Sequence, residues 1–129
     1  MARITQLVIR SESKPGALAQ ICSELAKVAV NITAILASPE QAGALRIVAD
    51  PLAAAKKVLD SLHIPYAEEQ ALAVRLTDRP GALGRATRKL AAANINITYV
   101  YGSIVKGQEK ALIVLGVAES DLEKAAELL

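Results

Sequence analysis

The chain has 129 residues, 53% of them hydrophobic, and a formal net charge of +2. That length fits one ordinary domain or two very small ones. Disorder is excluded, because it needs low hydrophobicity and high net charge. The charge is too small to imply a nucleic acid or an anionic membrane as partner. With no Phe and no Trp, a core must be built from Ala, Leu, Ile and Val, and the only aromatics are Tyr66, Tyr99 and Tyr101. No apolar run approaches the ~20 residues that span a bilayer. Met1 to Arg10 lacks the charged, apolar and small-residue segments of a secretory signal, so a cytoplasmic protein is expected. A single cysteine, Cys22, excludes an internal disulfide and a Cys-cluster metal site.

In chain order, the β-branched run from about Ile4 to Arg10 predicts a strand. The turn Ser13-Lys14-Pro15-Gly16 then opens a helix. Leu18, Ile21, Cys22 and Leu25 fall at i, i+3, i+4 and i+7, one apolar helical face, so Cys22 reads as a small buried hydrophobe. The helix stops near Asn31. Ile32–Ala37 and Leu45–Ala49 read as two strands around the Ser38-to-Gly43 loop. Pro51, with Asp50 as N-cap, opens a second helix through Leu62, and Ile64-Pro65 leads to an extended segment.

The pattern then repeats. A strand from about Ala71 to Thr77 meets the turn Asp78-Arg79-Pro80-Gly81, which opens a helix to about Ala93. Ile97–Val105 and Lys110–Gly116 form a hairpin whose turn includes Gly107, and Ser120 or Glu119 caps a last helix to Leu129. The repeat is literal. Pro15-Gly16-Ala17-Leu18 returns 65 residues later as Pro80-Gly81-Ala82-Leu83, and Asn31-Ile32-Thr33 returns at the same spacing as Asn96-Ile97-Thr98. Leu25-Ala26 and Leu90-Ala91 obey the same offset. The chain thus reads as a duplication, residues 1–69 and 70–129. The fold class is α+β: two ferredoxin-like β-α-β-β-α-β repeats with antiparallel sheets, the second lacking its last strand because the chain ends inside the second helix. The link near Glu68 to Ala71 is short enough for the two sheets to share one long strand. The absent strand implies a trimmed chain or an edge left for a partner, and an open edge invites dimerisation.

With Pro-Gly-x-Leu preceded by Asp78 or Ser13 and followed a helix later by Asn96-Ile97 or Asn31-Ile32, the sequence resembles a tandem ACT domain protein. The resemblance implies small-molecule ligands, often amino acids, bound where domains pair. It also implies a regulatory role in amino-acid metabolism, exerted by stand-alone subunits or by modules fused to enzymes.

The turn before each first helix is the candidate binding site. The opening N–H groups of a helix have no internal partner and carry positive potential. Gly16 and Gly81 let a ligand approach the backbone. A carboxylate fits the N–H groups of Gly81, Ala82 and Leu83, following Pro80, or of Gly16, Ala17 and Leu18. Asp78 would meet an ammonium, so an α-amino acid suits the turn. The competing reading is that Asp78 caps the helix and Pro-Gly makes a turn. Ser13 stands where the second copy has Asp78, which makes the first site weaker or altered. Asn31 and Asn96 serve either as left-handed helix ends or, by the resemblance, as ligand contacts across a domain pair.

Other features are less pointed. His63, the only histidine, makes neither a triad nor a multi-histidine metal site. Arg85, Arg88 and Lys89 share a helical face near Arg75 and Arg79, either a solvated surface or a patch for phosphate or an acidic partner. Tyr99 and Tyr101 alternate on one strand. No catalytic, metal or cofactor motif is expected. The reading is a non-enzymatic, amino-acid-binding regulatory module that forms a homodimer. A ligand-free oligomerisation module or a regulatory subunit of a partner metabolic enzyme is the alternative.

Overall fold

The computed structural model describes residues 2–12, 14–38, 44–103, 107 and 109–129. Ser13, the tip of the Ser38-to-Gly43 loop and the end of the strand expected to reach Val105 lie outside the described residues. The elements run β1 (Ala2–Arg10), α1 (Ala17–Lys27), β2 (Asn31–Ser38), β3 (Ala44–Asp50), α2 (Leu52–Ser61), β4 (Tyr66–Thr77), α3 (Ala82–Ala92), β5 (Ile97–Ser103), β6 (Lys110–Val117) and α4 (Leu122–Leu128). A short 3-10 turn at Glu119–Asp121 leads into α4. This is the duplicated β-α-β-β-α order of the sequence reading, an α+β pair of ferredoxin-like repeats.

Two compact units form: Thr5–Glu69, and Met1–Ile4 with Gln70–Leu129. In the first, the strand order is β2-β3-β1-β4. Strand β3 pairs antiparallel with both β1 (Leu7 opposite Ile47) and β2 (Ile35 opposite Ile47). On the other side of β1, the Arg10 N–H donates to the Pro65 carbonyl at 2.9 Å. The core alternates along the strands, as period 2 requires: Leu7 and Ile9 from β1, and Leu45, Ile47 and Ala49 from β3. Ile21 and Leu25 of α1 and Ala55 and Leu59 of α2 lie over them.

In the second unit, β4 pairs with β6 (Leu72 opposite Leu115) and β6 with β5 (Val100 opposite Leu115), both antiparallel. Leu72 and Val74, then Ile113, Leu115 and Val117, meet Leu90 of α3 and Leu122 and Ala125 of α4. No strand follows α4 within this repeat. The place beside β4 is taken by Ala2–Ile4 of β1, which belong to this unit. The edge that the sequence left open beside β4 is therefore covered by the chain's own N-terminus. Strand β4 itself runs unbroken for 12 residues across the join.

Three helices end in one way. The N–H of Val30, Ile64 and Ile95 returns to the carbonyl of Leu25, Leu59 and Leu90 at 3.0, 3.0 and 2.9 Å. The preceding residues, Ala29, His63 and Asn94, are left-handed with φ of 57°, 56° and 57°. This is the six-residue helix stop in which a left-handed residue turns the chain and an apolar pair closes over the end. Val30 and Leu25 are buried together, as are Ile95 and Leu90. The left-handed positions lie two residues before Asn31 and Asn96, because the apolar residue that closes the stop must follow the turn directly. Asn31 instead opens β2 opposite Asp50, and exposed Asn96 precedes β5. The helix starts also differ from expectation. Pro51, not Asp50, holds the N-cap place of α2, with no side-chain capping bond.

In the second unit Tyr99 lies opposite Gly116. A β-carbon on Gly116 would overlap the Tyr99 ring. The ring stacks on Tyr101, centroids 6.4 Å apart at 25°. Among the described residues no helix is long and apolar enough to cross a membrane.

Two stability predictions follow from these contacts. Ala29→Gly removes the β-carbon penalty of a left-handed residue and should stabilise the protein by about 0.5–1 kcal/mol in urea denaturation. Gly116→Ala should destabilise by about 1–3 kcal/mol through overpacking. That loss should shrink in the Tyr99→Ala background, because the obstructing ring is then gone.

Candidate functional site

The two strand-to-helix turns are superimposable in their bonding. In the second copy, the Arg79 N–H donates to the Thr77 carbonyl at 2.9 Å, and the Ala82 N–H to the Arg79 carbonyl at 3.2 Å. The Arg85 N–H takes the Gly81 carbonyl at 2.9 Å. In the first copy, the equivalent bonds join Lys14 to Glu12 (3.1 Å), Ala17 to Lys14 (3.2 Å) and Gln20 to Gly16 (2.9 Å). Both glycines sit at the N-cap in the left-handed region, φ 87° at Gly16 and 88° at Gly81. That conformation is why glycine stands at both positions: a side chain there would be strained.

Neither N-cap receives a side-chain hydrogen bond, and neither first turn holds an acidic residue. Asp78 therefore does not cap α3; its backbone N–H extends the β4–β6 ladder to the Glu109 carbonyl at 2.9 Å. Its exposed carboxylate stands at the turn without an ion pair among the described residues. The Ala82 and Ala17 N–H groups, expected to be open to a ligand, are already used by the turn. The Leu83 and Gly84 N–H groups have no backbone acceptor among the described residues, as the opening of a helix dictates.

Pro80 and Gly81 are exposed and Ala82 is half-buried; Pro15 and Gly16 are exposed and Ala17 is half-buried. Leu18 and Leu83, taken from sequence as core-facing and as backbone donors, remain 44% and 42% exposed. The buried stripe of each helix begins a turn later, at Ile21 and Ala86. On the edge strands Ile35 and Val100, again 65 residues apart, are 43% and 47% exposed. Each copy thus shows solvent one leucine from its first helix and one β-branched residue from its edge strand. Sequence reasoning missed the strand member of this pair. The signal was the edge position, since a strand with one neighbour cannot cover both ends of its apolar face.

The two turns differ in charge. Arg79, Arg85, Arg88 and Lys89 of the second copy stand where the first has Lys14, Gln20, Ser23 and Glu24. The Arg85 guanidinium folds back over Gly81, where a β-carbon would lie 2.9 Å from its Nη1. The Arg88 guanidinium reaches to 3.9 Å from the corresponding point on Gly84. Around Gly16 that space is open. Arg85 with Arg88, and Arg85 with Lys89, are like-charge pairs three and four residues apart, each unfavourable by about 0.2–0.5 kcal/mol. Arg79 and Arg85 also stand near the positive end of the helix, whereas Lys89 lies in its last turn, where a cation is favourable.

Elsewhere, Arg46 Nε donates to Glu69 Oε1 at 3.0 Å in the first unit, a half-buried pair that ties β3 to β4. Partial desolvation, then the Asp60 and Glu68 carboxylates, raise the Tyr66 hydroxyl above its ordinary range. His63 is an exposed helix-stop residue and Cys22 is half-buried. Among the described residues no group of His, Cys, Asp and Glu could hold a metal ion.

No curated protein matches the chain. Among solved structures, a protein from Bacteroides thetaiotaomicron superimposes with a TM-score of 0.88 at 26% identity, covering 98% of this chain and 86% of its own. The ligand-free regulatory subunit of aspartate kinase from Thermus thermophilus shares the fold at 14% identity, with a TM-score of 0.64 over 98% of this chain and 89% of that one. The aspartate kinase of Clostridium acetobutylicum does so at 17% identity and a TM-score of 0.59, this chain covering 31% of its length. The family model of the ACT domain pair matches residues 2–129. With the duplicated turn, the two ferredoxin-like units and that match across nearly every residue, the chain belongs to the ACT domain pair family.

Proposed function

We propose that this chain is an amino-acid-binding regulatory module of amino-acid metabolism, acting in the cytoplasm on a metabolic enzyme carried by another chain. The observation that carries the reading is the Asp78–Gly84 turn. Its helix start has no side-chain cap, its Leu83 and Gly84 N–H groups lack backbone acceptors, and Asp78 is exposed beside them. Carboxylate on the N–H groups and ammonium on Asp78 satisfy both charged ends of an α-amino acid. Over Gly81 lies the Arg85 guanidinium, a further cation for the carboxylate, and Asn96, exposed before β5, is the further polar contact. The Gly16–Ala19 turn, with Ser13 in the place of Asp78, is the weaker site, and Asn31 is its counterpart of Asn96.

A thermal-shift series against the twenty amino acids tests this. A ligand at 100 times its dissociation constant adds about 2.7 kcal/mol, a rise in Tm on the order of 10 °C for a chain of this size. Asp78→Ala should abolish the shift. Because Asp78 makes no capping bond, the same variant should leave the unliganded protein within about 0.5 kcal/mol of wild type. No shift at millimolar amino acid, in a wild-type protein that unfolds cooperatively, overturns the reading.

The reading includes a homodimer, with the second copy covering exposed Leu18 and Ile35 or Leu83 and Val100. Light scattering should give twice the chain mass for wild type and the monomer mass for Ile35→Lys/Val100→Lys. A monomeric wild type removes the dimer from the proposal.

A further inference from the structure

We propose that the exposed face formed by Arg79, Arg85, Arg88 and Lys89 binds the phosphoryl chain of a small polyphosphate, a nucleoside triphosphate or its inorganic equivalent. This ligand is separate from the amino acid proposed above.

The duplication provides the control. Both copies build the same turn and helix with the same bonds, so whatever that backbone requires is present twice. The cations are not. At the four equivalent positions the first copy has one cation, Lys14, and it is engaged with Glu12 at 3.1 Å. The second has four, none in an ion pair among the described residues. Arg85 with Arg88 and Arg85 with Lys89 work against the helix that carries them through like charges at helical spacing, and Arg79 and Arg85 add positive charge near its start. Copy one shows that Gln20 and Ser23 serve the backbone in place of Arg85 and Arg88. The cluster therefore answers to something other than folding.

The chemistry of the cluster narrows its partner. Three of the four cations are arginines, whose planar fork matches phosphate oxygens two at a time, where lysine offers a point charge. Both guanidinium groups reach back along α3, over Gly81 and Gly84, which gathers the charge at one end of the helix. From Arg85 to Lys89 the helix advances about 6 Å, the span of a short phosphoryl chain rather than of a nucleic-acid strand. The aromatics of the chain lie on β4 and β5, not on α3, so the face offers no platform for stacked bases.

Isothermal titration of the full chain with tripolyphosphate and with ATP, at about 0.15 M ionic strength, tests the proposal. Saturable binding below about 1 mM is expected for at least one of them, a range reached by multidentate charge-assisted contacts. Tighter binding of ATP assigns a nucleotide, and equal affinities assign the inorganic chain; both support the site. Arg85→Gln/Arg88→Ser installs the residues that copy one already carries on this backbone, so folding is preserved. It should weaken binding at least tenfold and leave Tm unchanged or higher. The charge-matched Lys57→Ala/Lys124→Ala should stay within about twofold of wild type. Equal losses in the two double variants would reduce the effect to net charge and overturn the site, as would the absence of saturable binding. A single-stranded RNA 20-mer that binds more tightly than tripolyphosphate and is lost in the same variant would overturn the small-molecule assignment.

Discussion

The geometry of each repeat hangs on two left-handed residues. Gly16 and Gly81 turn the chain from strand into helix, and Ala29 and Asn94 turn it out again. Between them the helix has a fixed length, so its buried stripe, Ile21 and Leu25 or Ala86 and Leu90, must fall over the sheet. The exit is held by an apolar pair, Leu25 with Val30 or Leu90 with Ile95, whose burial makes a left-handed non-glycine tolerable. At Ala29 the side chain offers nothing in return for that conformation. At Asn94 the short amide is one of the few side chains that adopt it readily. The entry has no such clamp. It is a glycine and a proline, followed in α3 by the Leu83 and Gly84 N–H groups, which have no backbone acceptor among the described residues.

Much of this was legible in the sequence because the signals are local. Proline and glycine punctuate the turns, and period 3.6 marks α1. The literal repeat multiplies each signal by two. The left-handed residue was expected at Asn31 and Asn96, two positions late, because Asn is a familiar left-handed residue. The stop actually chosen depends on an apolar residue, Val30 or Ile95, finding a buried partner five positions back. His63 escaped notice for the same reason: nothing in an isolated Leu-His-Ile declares that Ile64 will close over Leu59. The candidate site was legible in its residues but not in its donors. That the Ala82 N–H is consumed by Arg79, and that Asp78 makes no cap, depend on the shape of the turn.

The missing strand shows a different limit. The β-branched run identifies about Ile4 to Arg10 as strand, which the structure extends back to Ala2, but says nothing about which unit each half joins. The first three residues of β1 belong with Gln70–Leu129 and the rest with Thr5–Glu69. Strand β1 thus contributes residues to both units. Strand β4 answers it in the same way, beginning in one unit and continuing in the other. Neither half of the sequence, cut at the join, then contains all four strands of the second unit.

Duplication also separates what the fold demands from what a site demands. Gly16 and Gly81 agree, the turn bonds agree to within about 0.2 Å, and the exposed pairs Leu18 with Ile35 and Leu83 with Val100 agree in kind and in exposure. Features repeated so closely belong either to the backbone or to a use common to both copies. Asp78 and the arginines of α3 are unrepeated and lie on the surface, and the arginines stand at like-charge helical spacing. Selection for stability alone removes such residues, whereas selection for a ligand keeps them, because a site must hold charge unsatisfied until its partner arrives. The two copies thus share one frame and differ in the charge at their turns: Lys14, Gln20, Ser23 and Glu24 in the first stand where the second has Arg79, Arg85, Arg88 and Lys89.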